Sequence, residues 1–337
     1  MDDTLASLIA RLPKAELHCH LEGSIAPATA RRLAAKHGIN ICDVHTGDDA
    51  YLWNEFAGFI ATFDRISEVV VTPEDYFDIT RDYYVGAARE GLIYGESFVS
   101  PTHAARKGIS YQALIEAVDA GMAAAERETG VIARIIVTCV RHLGPEPAED
   151  VARMTERFPY RRVTGFGMGG DENFVQSKDF ARAFAIARDG GLALTAHAGE
   201  LAGPESLRAA IRELGISRVG HGVRAGEDPD VAAELKDRRI TMELCPSSNI
   251  AVGLFADMAA HPLARYTREG LLTTINSDDP PYFSTSIGSE YAKVAEAYGL
   301  NTDEMLGFTR RAVEAAFCED EVKRSLLDRI ADFATSP

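Results

Sequence analysis

Four polar groups carry most of the chemistry that this sequence offers: His18-Cys19-His20, His197-Ala198-Gly199-Glu200, Gly220-His221-Gly222 and Asp278-Asp279. Each closes an apolar stretch. Residues two apart on a strand point to the same side, so His18 and His20 can address one ion. An isolated HxH pair reads more simply as two hydrogen-bonded histidines. A third imidazole at His197 and a carboxylate at Asp278 shift the balance, because three nitrogens and one oxygen suit Zn²⁺ with a position left for water. Glu200, three residues beyond His197, can reach that water or a substrate without being a ligand. A proton-shuttling carboxylate beside a metal-bound water is the usual requirement of metal-assisted hydrolysis, although Glu200 alone also fits the first turn of a helix. His221, opened by a glycine on either side, can orient or deprotonate the water, or simply pack in the core. Asp278 can bind metal while Asp279 hydrogen-bonds a substrate, whereas an isolated Asp-Asp-Pro-Pro reads as a helix cap. Gly169-Gly170-Asp171-Glu172 lets backbone N–H groups approach a flat ligand, or forms only a turn. His37, His45, His103, His142 and His261 lack this clustering and are expected at the surface or in packing.

A scaffold must bring these groups to one place. Apolar stretches rich in β-branched and aromatic residues recur at Ala15–His20, Leu92–Ser100, Ala133–Cys139, Arg162–Gly167, Leu192–His197, Arg218–His221, Thr241–Leu244 and Leu271–Asp278. They predict eight strands. Helix boundaries fall between them: Pro27 then Gly38, Ser110 then Gly130, Ser177 then Gly190, Pro204 then Gly215, Pro262 then Gly270. After Ser110, Leu114, Val118, Met122 and Ala125 share one helical face. Eight strands separated by helices predict an α/β chain folded as a single (β/α)₈ TIM barrel over residues 1–337, whose chemistry gathers at the carboxyl ends of the strands. A doubly wound open sheet is the alternative, but no GxGxxG opens a helix after a strand. The excess length at 39–91 predicts a helical insertion after the first strand. Its Tyr51, Leu52, Phe56, Phe59, Ile60 and Phe63 form an amphipathic pattern that suits core packing or a lid over the barrel mouth.

Of the 337 residues, 35 are Lys or Arg and 51 are Asp or Glu, a formal charge of −16 that disfavours nucleic-acid and anionic-membrane partners. No apolar run approaches the ~18 residues of a membrane span. The five scattered cysteines contain no CxxC pair, which fits a reducing compartment, and the acidic start lacks the features of a secretory signal. A cytoplasmic location is expected. Oligomeric state is not encoded legibly.

The motifs Leu12-Pro13-Lys14-Ala15-Glu16-Leu17-His18-Cys19-His20-Leu21-Glu22-Gly23, Gly169-Gly170-Asp171-Glu172, His197-Ala198-Gly199-Glu200, Gly220-His221-Gly222 and Asn276-Ser277-Asp278-Asp279-Pro280, in this order, resemble the adenosine and adenine deaminase family of the amidohydrolase superfamily. The resemblance implies one zinc per chain held by His18, His20, His197 and Asp278, and a small-molecule purine nucleoside as substrate. It implies catalytic roles for Glu200, His221 and Asp278: zinc-bound water attacks purine C6, Glu200 protonates N1, His221 positions and helps deprotonate the water, and ammonia leaves. Against the substrate it sets His20, Glu22 near the ribose, the Gly170 amide at N3 and Asp279 at N7. The fourth predicted strand ends without lysine or carboxylate, which favours one metal over two. The HxE…PCxxC pattern of the other zinc deaminases is absent. Gly170-Asp171-Glu172 and Gly220-His221-Gly222 resemble the nucleoside-acting branch, so adenosine, and with it 2′-deoxyadenosine, is the expected substrate, giving inosine in purine salvage. Glu22 stands where many adenosine deaminases have aspartate. Adenine, or a modified aminopurine nucleoside, is the alternative substrate. From another class, an inactive zinc-stabilised binding protein is the remaining alternative.

Overall fold

The apolar stretches pair with one another in chain order. In the computed structural model, which describes residues 3–47, 50–174 and 176–335, they form strands β1 (Lys14–His20), β2 (Leu92–Val99), β3 (Ile132–Val140), β4 (Val163–Gly169), β5 (Ala193–Ala198), β6 (Arg218–His221), β7 (Thr241–Leu244) and β8 (Leu272–Ile275). All neighbours are parallel. The ring closes where Cys19 bridges Asp278: the His20 N–H donates to the Asp278 carbonyl at 2.9 Å, and the Asp278 N–H to the His18 carbonyl at 3.1 Å. With helices surrounding the strands, this is a (β/α)₈ barrel.

β8 stops at Ile275, three residues short of the expected end. Asn276 takes over there with its side chain. Its backbone N–H and its Nδ2 both donate to the Leu244 carbonyl, at 3.0 and 3.1 Å, and its Oδ1 accepts the Leu17 N–H at 2.8 Å, so the side chain spans to β1 at the last residue before the backbone leaves the ladder. That departure brings Asp278 round, at φ +65°, to face the barrel axis.

Most helix signals act as anticipated, but Ser177 opens a 3₁₀ turn without capping, and the α-helix that ends before Gly190 starts at Ala181. Ser110 accepts the Ala113 N–H and opens helix Tyr111–Thr129, which ends at Gly130 with φ +75°. Leu114, Val118, Met122 and Ala125 are fully buried, each large side chain contributing about 1.5–3 kcal/mol of apolar transfer. Gly121 lets this helix lie against helix Pro73–Arg89, because a Cβ there would come 2.8 Å from the Phe77 carbonyl oxygen.

The 39–91 stretch contains a short hairpin, His45–Thr46 against Tyr51–Leu52, then helices Glu55–Ser67 and Pro73–Arg89. Its six apolar residues do not share one face. Phe56, Phe59, Ile60 and Phe63 point into the mouth of the barrel. Tyr51 is buried and donates to the Ile25 carbonyl, while Leu52, its neighbour on a strand and therefore on the opposite side, is 57% exposed. Among the described residues no helix is long and apolar enough to cross a membrane.

Candidate functional site

β1 supplies His18 and His20, β5 supplies His197, and the turn after β8 supplies Asp278. Their donor atoms converge. His197 Nε2 lies 3.1 Å from both His18 Nε2 and His20 Nε2, and Asp278 Oδ1 lies 3.4 Å from the same two nitrogens. The opposite ring nitrogens define the tautomers. His18 Nδ1 is 2.8 Å from Glu243 Oε2, and His197 Nδ1 is 2.8 Å from the Met168 carbonyl oxygen. Both partners accept, so each Nδ1 carries hydrogen and each Nε2 turns a lone pair inward. Two lone pairs 3.1 Å apart repel unless positive charge lies between them. In a tetrahedron with metal–ligand bonds of ~2.0–2.1 Å the donors are about 3.3–3.4 Å apart, close to these spacings. The four residues therefore fit a divalent cation such as zinc.

Electrostatics agree. Burial, reinforced by the neighbouring imidazoles, holds His197 well below its ordinary value, which keeps it neutral. Burial opposes charge on His18, yet Asp278 and Glu243 raise it to about 9; the cluster draws in positive charge. Burial opposes ionisation of Asp278 too, but its hydrogen bonds to His18 and His20 hold it well below the carboxylate range. His221 lies within ligand range of His18, His197 and Asp278, but its Nε2 is 3.9 Å from Asp278 Oδ2 and 3.6 Å from Glu200 Oε2, so His20 is the better fourth donor. Both His221, at φ +59°, and Asp278 occupy the left-handed region, which costs a non-glycine residue roughly 1–2 kcal/mol and marks a backbone held against its preference.

Behind the donors stand Glu243, Arg218 and Arg141, to which sequence reading gave no role, and Glu172, Gly220 and Gly23, which it named only within motifs. Glu243 is fixed from its other side by Arg218, whose Nε is 2.6 Å from Oε1 and whose Nη2 is 2.6 Å from Glu96 Oε2. Arg218 also stacks on Phe317 at 3.4 Å from the ring centre. The Arg141 guanidinium donates to the His197 carbonyl at 2.8 Å. Glu172 winds the next turn around its carboxylate, accepting the amides of Gly199, of Glu200 at 3.0 Å, of Leu201 at 2.8 Å and of Ala202 at 2.9 Å, together with the Ser206 hydroxyl. Charge-assisted bonds of this kind are the strong ones, and they fix the segment that presents Glu200. Gly220 is dictated by space: a Cβ would lie 2.8 Å from His18 Cε1. Gly23 is too, because a Cβ there would strike the Asp279 carboxylate.

A cavity of about 100 Å³ opens beside the donors. Glu22, Gly170, Glu200, His221 and Asp279 reach it from below, and Phe56, Phe59, Phe63 and Phe283 cover it. Burial pushes the Glu200 carboxyl well up, helped by Asp278 and Glu172. Burial does the same to Asp279, with Asp278 and Glu200 adding to it; it also raises Glu22, against the opposing pull of His103. Glu200 and Asp279 are thus the carboxyls most biased toward the protonated, hydrogen-bond-donating form at this cavity. Glu22 folds against the wall, where its Oε1 accepts the Ser100 N–H at 3.3 Å. His103 and His142, expected outside the site, line the cavity as well, with His103 Nε2 3.7 Å from Asp64 Oδ1. Each stands just beyond the carboxyl end of β2 or β3, which is the signal that finds them. A wider cleft of about 770 Å³ at the other end of the strands, by Arg161, Arg239 and Arg311, contains no cluster of metal donors among the described residues.

Comparison with known proteins follows the same lines. The family model described as adenosine deaminase matches residues 13–333. The chain is 44% identical over 317 residues to an adenine deaminase of Mesorhizobium japonicum, covering 94% of this chain and 98% of that protein. Among solved structures, the adenine deaminase of Arthrobacter aurescens superposes with a TM-score of 0.90 at 26% identity, covering 96% of this chain and 100% of that one. The N6-methyl-AMP deaminase of Arabidopsis thaliana superposes with a TM-score of 0.85 at 26% identity, covering 97% and 98%.

Proposed function

The chain belongs to the adenosine deaminase family, and from that premise we propose that it hydrolyses the 6-amino group of free adenine, giving hypoxanthine and ammonia. The convergence of His18, His20, His197 and Asp278 beside Glu200 carries the hydrolytic part of this reading. A zinc ion held by those four side chains would supply Lewis acidity, bringing the ionisation of water near neutrality. The chain's own residues then handle the protons. Glu200, protonated at rest, gives its hydrogen to N1 as oxygen adds to C6, and recovers one from the adding water. It next passes that hydrogen to the amino group and takes the hydroxyl hydrogen as ammonia departs and C6=O forms. Asp279, also protonated, donates to N7, and the Gly170 amide meets N3. Helix Glu55–Ser67 serves as the lid that keeps bulk water out.

The substrate departs from the adenosine expected from the motifs. The names of the Mesorhizobium and Arthrobacter relatives support adenine. The aromatic side chains over the cavity suit a flat purine ring. The loops that pointed to the nucleoside branch have other work here. Glu172 organises the Glu200 turn and Gly220 makes room for His18, and neither task involves ribose. Glu22, one methylene longer than aspartate, lines the cavity and takes up room that a shorter side chain would leave.

Loss of 6-aminopurine absorbance tests this directly. Adenine is expected to be turned over with kcat/KM on the order of 10² above that of adenosine; adenosine as the better substrate would overturn the choice. Glu22→Asp removes the extra methylene and is expected to raise the adenosine-to-adenine ratio of kcat/KM roughly tenfold. An unchanged ratio would show that Glu22 does not set the room for the sugar.

A further inference from the structure

His221 presents Nε2 to the cavity, and what that nitrogen carries is decided at a backbone amide buried behind it. The Leu263 N–H donates to His261 Nδ1 at 3.3 Å. A backbone amide cannot exchange donor for acceptor, so His261 Nδ1 accepts and its hydrogen resides on Nε2. That Nε2–H meets Asn249 Oδ1 at 3.2 Å. The amide orientation follows: Asn249 Nδ2 lies 3.2 Å from His221 Nδ1 and donates to it. Turning the amide over would set Nδ2 against the His261 Nε2–H, donor against donor. His221 Nδ1 therefore accepts, which excludes the imidazolium as well, and Nε2 carries the hydrogen. Asn249, His221 and His261 are 0%, 1% and 3% exposed, so water does not compete for these bonds. Phe255 holds the His261 ring edge to face at 5.0 Å, and burial keeps His261 neutral by lowering it to about 3.

We infer that Asn249 and His261 are positioning residues that lock His221 in the Nε2–H tautomer, so that it donates to the oxygen attacking C6 and aims it, instead of taking its proton. The inference rests on the deaminase reading above. It reassigns the base role that the family resemblance gives to His221: the hydrogen lost by water as the C6–O bond forms goes to the Glu200 carboxylate, which has just protonated N1. Neither Asn249 nor His261 touches the cavity chemistry itself. A hydrogen bond of fixed direction at the reacting oxygen acts by orientation, where misplacement of about 1 Å can cost on the order of 10²-fold, and an imidazole held in the wrong tautomer costs as much or more.

Asn249→Asp tests this by replacing the donor with an acceptor of equal size. The zinc-loaded protein, carrying ¹⁵N-labelled histidine, is read by ¹H–¹⁵N correlation. Wild-type His221 is expected to show hydrogen on Nε2 and a bare Nδ1. In Asn249→Asp, Nδ1 gains hydrogen, kcat for adenine falls on the order of 10²-fold, KM changes little and zinc content is unchanged. His261→Phe keeps the ring but frees the amide to turn over; it is expected to give mixed tautomer signals and a smaller loss of kcat, and it serves if the aspartate variant does not fold. Hydrogen on Nδ1 in the wild type, or a moved hydrogen with wild-type kcat in either variant, overturns the inference. A wild-type protein inert toward every 6-aminopurine would overturn the deaminase reading instead, while the tautomer would still stand or fall on its spectrum.

Discussion

Glu200→Gln is expected to lower kcat for adenine by roughly 10³-fold, within the range that general acid–base groups supply, while zinc content per chain stays at the wild-type level. The two parts of that outcome come from different atoms. Glutamine keeps the shape of the side chain, and its amide can still donate toward N1, so binding is expected to change less than turnover. It cannot release a proton and recover another, and the reaction needs that exchange twice. The metal donors keep their surroundings, because the turn around Glu200 is tied to the Glu172 carboxylate by backbone amides and does not depend on the Glu200 side chain. Steady-state kinetics with parallel metal analysis distinguishes the possibilities. If activity and zinc fell together, Glu200 would be a support of the metal centre and not the proton carrier; if kcat survived, the proton path would lie elsewhere.

The barrel was legible because its strands are short apolar runs with polar residues at one end, and because helix caps such as Ser110 and Gly130 act locally. His18, His20, His197 and Asp278 were legible for a related reason: each ends or follows a strand, and one fold rule brings such ends together. What was hidden depends on partners remote in the chain. Nothing near Glu243 announces that Arg218 will hold it against His18, and Asn249 and His261 acquire meaning only when the Leu263 amide fixes their polarity. The end of β8 was placed too late because the contact from Asn276 to β1 is made by its side chain, which accepts the Leu17 N–H, and not by the backbone. The adenosine expectation is not confirmed: the relatives named adenine deaminase favour the alternative substrate. Gly170-Asp171-Glu172 and Gly220-His221-Gly222 were read as marks of a nucleoside site, but the structure uses Glu172 to shape the Glu200 turn and Gly220 to admit His18, tasks common to any substrate of this centre.

Metal removal is expected to abolish turnover and lower the unfolding temperature by several degrees, with both restored by zinc. Stripped of a cation, the site leaves His18 and His197 with Nε2 atoms 3.1 Å apart, the outer nitrogen of each committed to an acceptor. A proton is the only relief available, and Asp278 and Glu243 accordingly raise His18 to about 9 against its burial. The sign follows. A His18 raised in the folded protein stabilises the metal-free form below the ordinary histidine value near ~6.5, and that contribution is lost as pH rises through about 9. Zinc competes with the same proton, so its advantage grows with pH across that window, in line with the requirement that ligands bind deprotonated. A cation at about 1,000 times its dissociation constant adds ~4 kcal/mol of stability, enough for thermal scans of chelated and zinc-reloaded protein at pH 6 and pH 9 to resolve. A larger zinc-dependent shift at pH 9 supports the centre as drawn; equal unfolding temperatures with and without zinc, or full activity after chelation, would remove the cation from the reaction altogether.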